Sequence, residues 1–309
     1  MEKRKIGSLE VSLAGLGCNN FGWRIDAEGT AAVVTAAIES GINFFDTADI
    51  YGGGQSEEFL GRALKGRRDK VLIATKFGMK MADGKEGAKP AYIRQAVEDS
   101  LRRLATDHID LYQIHRPDDS TPIADTLGAL DELVKAGKVR EIGCSNFSAE
   151  QLREAAAAPG GGARFVSVQN NYSLLHREPE AEVLPECQRQ GIAFLPYFPL
   201  ANGLLTGKYR KGQPFPKSSR ADDEFGPKVF TDENLGLADN LRQIAESRGH
   251  TLLELAMAWL ASKSVIASVI AGAKTAEQVK ANASAVAWRL TDADLGAVEG
   301  ILTSKASHG

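Results

Sequence analysis

At 309 residues, with 43% hydrophobic and 25% charged side chains, the chain has the composition of a globular protein able to bury a large core, which excludes a disordered or fibrous polymer. Its 37 basic and 40 acidic residues intermix to a formal net charge of -3 and leave no polybasic stripe for phosphate backbones or anionic lipid. Nucleic acid and membrane partners are therefore not expected, and the chain reads as a monomer or weak homo-oligomer. Cys18, Cys144 and Cys187 are odd in number and lack Cys-x-x-Cys spacing, so neither a disulfide framework nor a metal site is expected, and a reducing compartment fits. The start MEKRKIGSLE lacks the apolar stretch of a signal peptide, and no apolar run reaches the roughly 18 residues of a membrane span, which points to a cytoplasmic location.

In chain order, a polar hairpin around Gly7 and Ser8 comes first. Apolar strand-like runs then recur at 13–17, 43–46, 71–75, 111–114, 140–144, 165–168, 193–197 and 267–271. Between them apolar residues fall at helical spacing, as in Ile93, Val97, Leu101 and Leu104, or Leu127, Leu130 and Val134. Ser148 with Gln151, and Thr251 with Glu254, carry the spacing of capping boxes. Parallel strands need long right-handed crossovers, and eight strand-helix units close most naturally into an α/β (β/α)₈ TIM barrel. The polar stretch from Asn202 to Thr231 interrupts the seventh unit and reads as a mobile loop over the site. No linker or repeat divides the chain, so residues 1–309 read as a single domain.

In such a barrel the functional groups lie where the strands end. The second run ends in FFDTADIYG, giving Asp46 and Tyr51; the third ends at Lys76 in IATKFG; the fourth ends at His115 in YQIHRPD. Singly each has a bland reading, as a helix cap, a solvated lysine or a structural histidine. At three consecutive strand ends they form a proton-transfer device. For Tyr51 to act as acid and base near neutrality its pKa, ordinarily roughly 10, must fall by about two to three, which takes about 3 to 4 kcal/mol. An ammonium about 4 Å away at an effective dielectric of about 20 supplies roughly 4 kcal/mol, which matches that need. Asp46 is expected to hold Lys76 protonated and in place, and His115 to orient a substrate carbonyl by a hydrogen bond.

None of these groups delivers hydride, so a reduced dinucleotide is required beside them. Ser145 and Asn146 in GCSNF, with Gln169 in VQNNY, can pair with a nicotinamide carboxamide, and Tyr197 in AFLPYFPL offers a face for its ring. Each also has a structural reading, as a cap or as core. In AGAKTAEQVKAN, Lys274, Thr275, Gln278 and Asn282 lie on a loop and the first turns of a helix, an anion site with an added charge, although Thr275 with Gln278 also reads as a capping box. GLGCNN lacks the third glycine of a dinucleotide fingerprint and GLLTGKY lacks Walker spacing, so neither supports a Rossmann or P-loop fold. Trp23, Tyr51, Met79 and Arg116 are the candidate substrate pocket, an apolar wall with one cation.

The blocks FFDTADIYGGGQSE, IATKFG, LYQIHRPD, IGCSNFS, VQNNYSLL, PYFPLANGLLTGKY and AGAKTAEQV resemble, in order and across nearly the whole chain, the aldo-keto reductase family. The resemblance implies NADP(H)-linked reduction of a small carbonyl compound, with Asp46, Tyr51, Lys76 and His115 matching the family's catalytic tetrad. It places Ser145, Asn146, Gln169 and Tyr197 at the nicotinamide, Leu200, Lys208 and Arg220 at the pyrophosphate, and Lys274, Gln278 and Asn282 at the adenosine end. Phe198 stands where a serine is common, and Gln278 where many members carry an arginine, as in the branch near potassium-channel β-subunits. That branch suggests a second reading, a barrel holding NADP(H) as a redox sensor with little turnover. A third, a barrel isomerase or aldolase with Lys76 as Schiff base, is weakened by Asp46, which keeps the amine charged.

Overall fold

Residues 3–12 turn back on themselves as expected. Strand β1 (Lys3–Ile6) pairs antiparallel with β2 (Leu9–Ser12), and Gly7 between them takes φ +55°, a left-handed angle that suits glycine. The structure is a computed structural model; it describes every residue except 82, 160–161, 217–218, 222, 224–225 and 305–309. Ile6, Leu9 and Val11 of the hairpin pack with Phe44, Ala74, Leu111 and Leu195 from four of the strands that follow, so the hairpin plugs the floor of a barrel.

That barrel consists of β3 (Ala14–Gly17), β4 (Phe44–Asp46), β5 (Leu72–Phe77), β6 (Ile109–Ile114), β7 (Val139–Ser145), β8 (Phe165–Asn171), β9 (Ala193–Tyr197) and β10 (Val269–Gly272), all parallel and adjacent in chain order. Strand β10 pairs with β3, and the ring closes on β9 through a parallel bridge between Phe194 and Ile266. All eight apolar runs are therefore strands of one TIM barrel.

The crossovers are α1 (Ala27–Glu39), α2 (Gln55–Ala63), α3 (Pro90–Leu104), α4 (Ile123–Lys135), α5 (Ala149–Ala157) and α6 (Val183–Gln190). After β9 come α7 (Gly226–Val229), α8 (Asp232–Ser247) and α9 (Leu252–Ala261), and β10 is followed by α10 (Ala276–Ala285) and α11 (Asp292–Ser304). Ile93, Val97, Leu101 and Leu104 form the buried stripe of α3, while on α4 Leu127 and Leu130 are buried and Val134 is half-buried. The boxes at Ser148–Gln151 and Thr251–Glu254 both close. The Thr275–Gln278 box closes by half: the Thr275 hydroxyl accepts from the Gln278 amide, but the Gln278 side-chain oxygen takes the Lys274 amide instead. Among the described residues no helix is long and apolar enough to cross a membrane.

The polar stretch after β9 needs one correction, since it is not devoid of core. A short 3-10 turn at Ala201–Thr206 buries Leu204 and Leu205, and Tyr209, 3% exposed, meets Phe215 and Phe230 at ring-centroid distances of 5.6 and 4.7 Å. Three aromatic side chains thus pin a segment whose overall composition reads as solvated; its residues 217–218, 222 and 224–225 lie outside the described set.

Strand parity decides what faces the barrel axis. Successive side chains alternate, so the residue two beyond an inward one is also inward. Phe44, Ala74, Leu111 and Leu195 fill the inner cluster at the floor. Asp46, Lys76, Gln113 and Tyr197 follow two residues later, and His115 two after Gln113, which stacks the polar set above the apolar plug.

Candidate active site

A cavity of about 1290 Å³ opens at the C-terminal ends of the strands, and Asp46, Tyr51, His115, Ser145, Asn146, Gln169 and Tyr197 line it. Lys76 lies beneath its floor, fully buried, with its ammonium donating to Asp46 Oδ2 at 2.6 Å and to the Thr47 carbonyl at 2.9 Å. The other Asp46 oxygen accepts from Gln169 Nε2 at 2.8 Å and Gln113 Nε2 at 3.2 Å. The aspartate is thereby held from three strands and cannot swing away from the lysine.

Tyr51 reaches this group from the turn after β4. Gly52, Gly53 and Gly54 follow it at φ +58°, +64° and +97°, and a Cβ on Gly52 would meet the Phe21 carbonyl oxygen at 3.0 Å, so the turn that presents the phenol requires glycine there. The Lys76 ammonium lies 5.2 Å from the Tyr51 ring centroid, and the His115 ring stands edge-on at 5.8 Å. The four groups expected from three consecutive strand ends meet at one point.

Their electrostatics differ from the expectation in one respect. Burial raises the Tyr51 pKa above its ordinary value, and the charge and hydrogen bonding of Lys76, which pull it down, do not overcome burial together with Asp46. The attraction of the cation is outweighed first by burial of the phenol and then by the negative charge of Asp46 beside it. Burial also works against the Lys76 charge, but Asp46 and then Tyr51 outweigh it, so the ammonium is held above its ordinary pKa. Burial, then Lys76, then Arg116 depress His115 well below the usual imidazole range, leaving it neutral, and its Nδ1 is enclosed without a partner. Near neutrality the site therefore holds a protonated phenol, a charged lysine and an uncharged imidazole.

Further along the cavity lie Leu200, Lys208, Arg220, Lys274, Gln278 and Asn282. Among the described residues neither Lys208, Arg220 nor Lys274 has a carboxylate within ion-pair distance. Burial first, then Arg24, Lys208 and Arg220, lower the Lys274 pKa; burial and Arg24 lower that of Arg220. Lys208, Arg220 and Lys274 together give this end of the cavity a positive potential.

Known proteins similar to the chain bear on this geometry. A profile of the aldo/keto reductase family matches residues 14–303. The chain is 36% identical over 309 residues to aldo-keto reductase YhdN of Bacillus subtilis, covering 97% of this chain and 92% of that protein. It is 36% identical over 301 residues to aldo-keto reductase yakc [NADP(+)] of Schizosaccharomyces pombe, covering 94% and 88%. The structure of a glycerol dehydrogenase from Gluconobacter oxydans superposes with a TM-score of 0.86 at 33% identity, over 99% of this chain and 97% of that one. This chain belongs to the aldo/keto reductase family. It is an oxidoreductase of that family, on the family's barrel.

Within this aldo/keto reductase the carboxamide candidates are already partly engaged. Asn146, at φ +62°, donates to the His115 carbonyl at 2.9 Å and to Ser145 Oγ at 3.1 Å, and accepts from the Tyr197 hydroxyl at 2.8 Å; Ser145 Oγ donates to the Gln169 carbonyl at 2.7 Å. Met79 and Arg116 line the cavity, as expected of pocket residues. Trp23 does not. It is 64% exposed, with the Arg24 guanidinium 4.2 Å from its ring, and Arg24 is itself tied to Asp223 at 2.6 Å.

Two residues escaped the sequence reading. Asn20 lines the cavity, donating to the Ala273 carbonyl at 3.2 Å and accepting from Arg220 at 2.9 Å, so it anchors the cationic loop to the rim. Its block, GLGCNN, had been weighed only as a glycine motif. Gln113 was visible as the inward residue two before His115, but amides inside apolar strands carry no motif.

Proposed function

We propose that this aldo/keto reductase reduces a small aldehyde or ketone to the alcohol with NADPH, and that Tyr51 gives the proton. The observation that supports this most is the meeting of a protonated Tyr51 with a charged, immobilised Lys76 on the cavity floor. As negative charge develops on the substrate oxygen, the phenol O–H transfers its proton there. The tyrosinate left behind faces Lys76, an attraction of roughly 4 kcal/mol at about 4 Å and an effective dielectric of about 20. Lys76 therefore acts on the product of proton transfer rather than on the resting phenol. Asp46 and the Thr47 carbonyl hold the ammonium, and neutral His115 donates one hydrogen bond to the substrate oxygen. A raised resting pKa keeps Tyr51 protonated, the form that reduction requires.

When bound, the dinucleotide supplies the hydride. Lys208, Arg220 and Lys274, which have no carboxylate partner among the described residues, fit its phosphates, with Lys274 the charge that favours a 2′-phosphate. Leu200, Gln278 and Asn282 would border the pyrophosphate and adenosine, and Ser145, Asn146 and Gln169 would take the carboxamide with Tyr197 against the ring. The relative whose name carries NADP(+) supports the same assignment.

An NADPH-oxidation screen across aldehydes, ketones and sugars tests the proposal, with saturable turnover of at least one aldehyde expected. Tight NADPH binding with no turnover across the panel would instead favour the redox-sensing reading.

A further inference from the structure

Lys208, Arg220 and Lys274 line the cavity at the end assigned to the dinucleotide phosphates, and burial first, then Arg24, Lys208 and Arg220, lower the Lys274 pKa there; Lys228 lines the cavity as well. Arg116 does not belong to that group. It follows His115 directly after β6, lines the same cavity, and its charge is felt instead by His115 and by Tyr197, after burial in both cases. It is exposed, and among the described residues its guanidinium has neither a carboxylate nor a hydrogen-bond partner. Among the described residues, the two carboxylates that line the cavity are both engaged, Asp46 with Lys76 and Glu254 with Thr251 and His250. Beside His115, Arg116 is therefore a cation that none of the described residues neutralises, and no free carboxylate among them lines the cavity to repel an anion.

We propose that Arg116 selects carbonyl substrates bearing an oxyanion, a carboxylate or a phosphate, a few bonds from the reacting carbon. The proposal rests on the reductase reading and names the substrate class of that site. A guanidinium offers paired N–H donors that match both oxyanions, and a partner left open in the free enzyme is what a specificity contact requires. A cation fully satisfied by its own protein could not discriminate.

The test compares matched substrates with NADPH: succinic semialdehyde against butanal, and glyceraldehyde 3-phosphate against glyceraldehyde. The readout is the ratio of kcat/KM for the anionic over the neutral member, in the wild type and in Arg116→Gln, Arg116→Lys and Arg116→Glu. For at least one pair the ratio is expected to fall about tenfold in the glutamine variant, equivalent to about 1.4 kcal/mol, further in the glutamate variant, and little in the lysine variant. Raising the ionic strength should lower it in the wild type. Which pair responds tells carboxylate from phosphate. Ratios unchanged in the glutamine and glutamate variants, with the wild type turning over both members, overturn this inference and leave the reductase reading standing. No turnover of any of the four, while another carbonyl compound of the wider screen is reduced, overturns this inference alone; no turnover across the whole screen overturns both.

Discussion

The two ends of the barrel handle polar groups in opposite ways. At the floor, Arg4 donates to the carbonyls of Ala261, Lys263 and Ile266 at 2.7, 3.0 and 2.6 Å, and buried Asp110 accepts from Arg68, Arg140 and the Ile73 amide at 2.7, 2.7 and 2.8 Å. At the rim, among the described residues, both Asp49 oxygens, Gln113 Oε1 and His115 Nδ1 are enclosed without partners and Arg116, Lys208, Arg220 and Lys274 lack carboxylates, while Asn146 and Phe198 hold positive φ. A fold can satisfy its polar groups internally at one end, where stability is the only demand. At the other it must leave donors, acceptors and charge open for a ligand to complete.

The contrast can be broken at its strongest point by Lys76→Met. Removing one partner of a buried pair leaves Asp46 uncompensated, so urea unfolding should show a loss of about 3–5 kcal/mol, and aldehyde turnover should fall by at least about 10³-fold. Arg4→Ala probes the opposite end. It strips three carbonyls of their donor and should lower stability by about 2–3 kcal/mol, while turnover by the folded enzyme stays at the wild-type value.

Asp49→Asn should show the smallest shift, and one whose sign changes with pH. Burial first and the Glu57 carboxylate second push the Asp49 pKa up from 3.8 to about 7, against the pull of Arg103, the Ile50 amide and Lys76. Between those two values the unfolded chain releases a proton that the folded protein keeps, so this residue makes stability fall as pH rises from about 4 to about 7. With a cost of about 2 kcal/mol at every pH for a buried unpartnered amide, against a linkage of about 4 kcal/mol over about three pKa units, the asparagine variant should fall about 2 kcal/mol below the wild type near pH 4 and exceed it by about 2 kcal/mol above pH 7. Melting temperatures across that range check it; a constant difference at every pH would remove Asp49 from the account.

Much of this was legible in the sequence because alternation and strand-end position are local properties. Runs such as IATKFG and YQIHRPD mark both a strand and the inward residue at its end, which is how Asp46, Lys76 and His115 could be placed on one rim. Balances and distant pairings were not legible. The Tyr51 phenol is governed by burial against a lysine already paired to Asp46, a competition whose sign depends on three-dimensional packing. Trp23 faces outward beneath Arg24, whose partner Asp223 lies 199 residues away, and Asn20 meets Arg220 across 200. No periodicity encodes such pairs. The polar loop after β9 misled for the same reason, since Tyr209, Phe215 and Phe230 are too widely spaced to read as core until the chain folds back.

The central claim is that the Tyr51 hydroxyl gives the proton that completes carbonyl reduction. Single-turnover oxidation of NADPH by Tyr51→Phe, preloaded with the dinucleotide and mixed with a good aldehyde substrate, isolates that step from binding and release. The account predicts unimpaired NADPH binding with a chemical step slowed by at least about 10²-fold; a step as fast as in the wild type would contradict it.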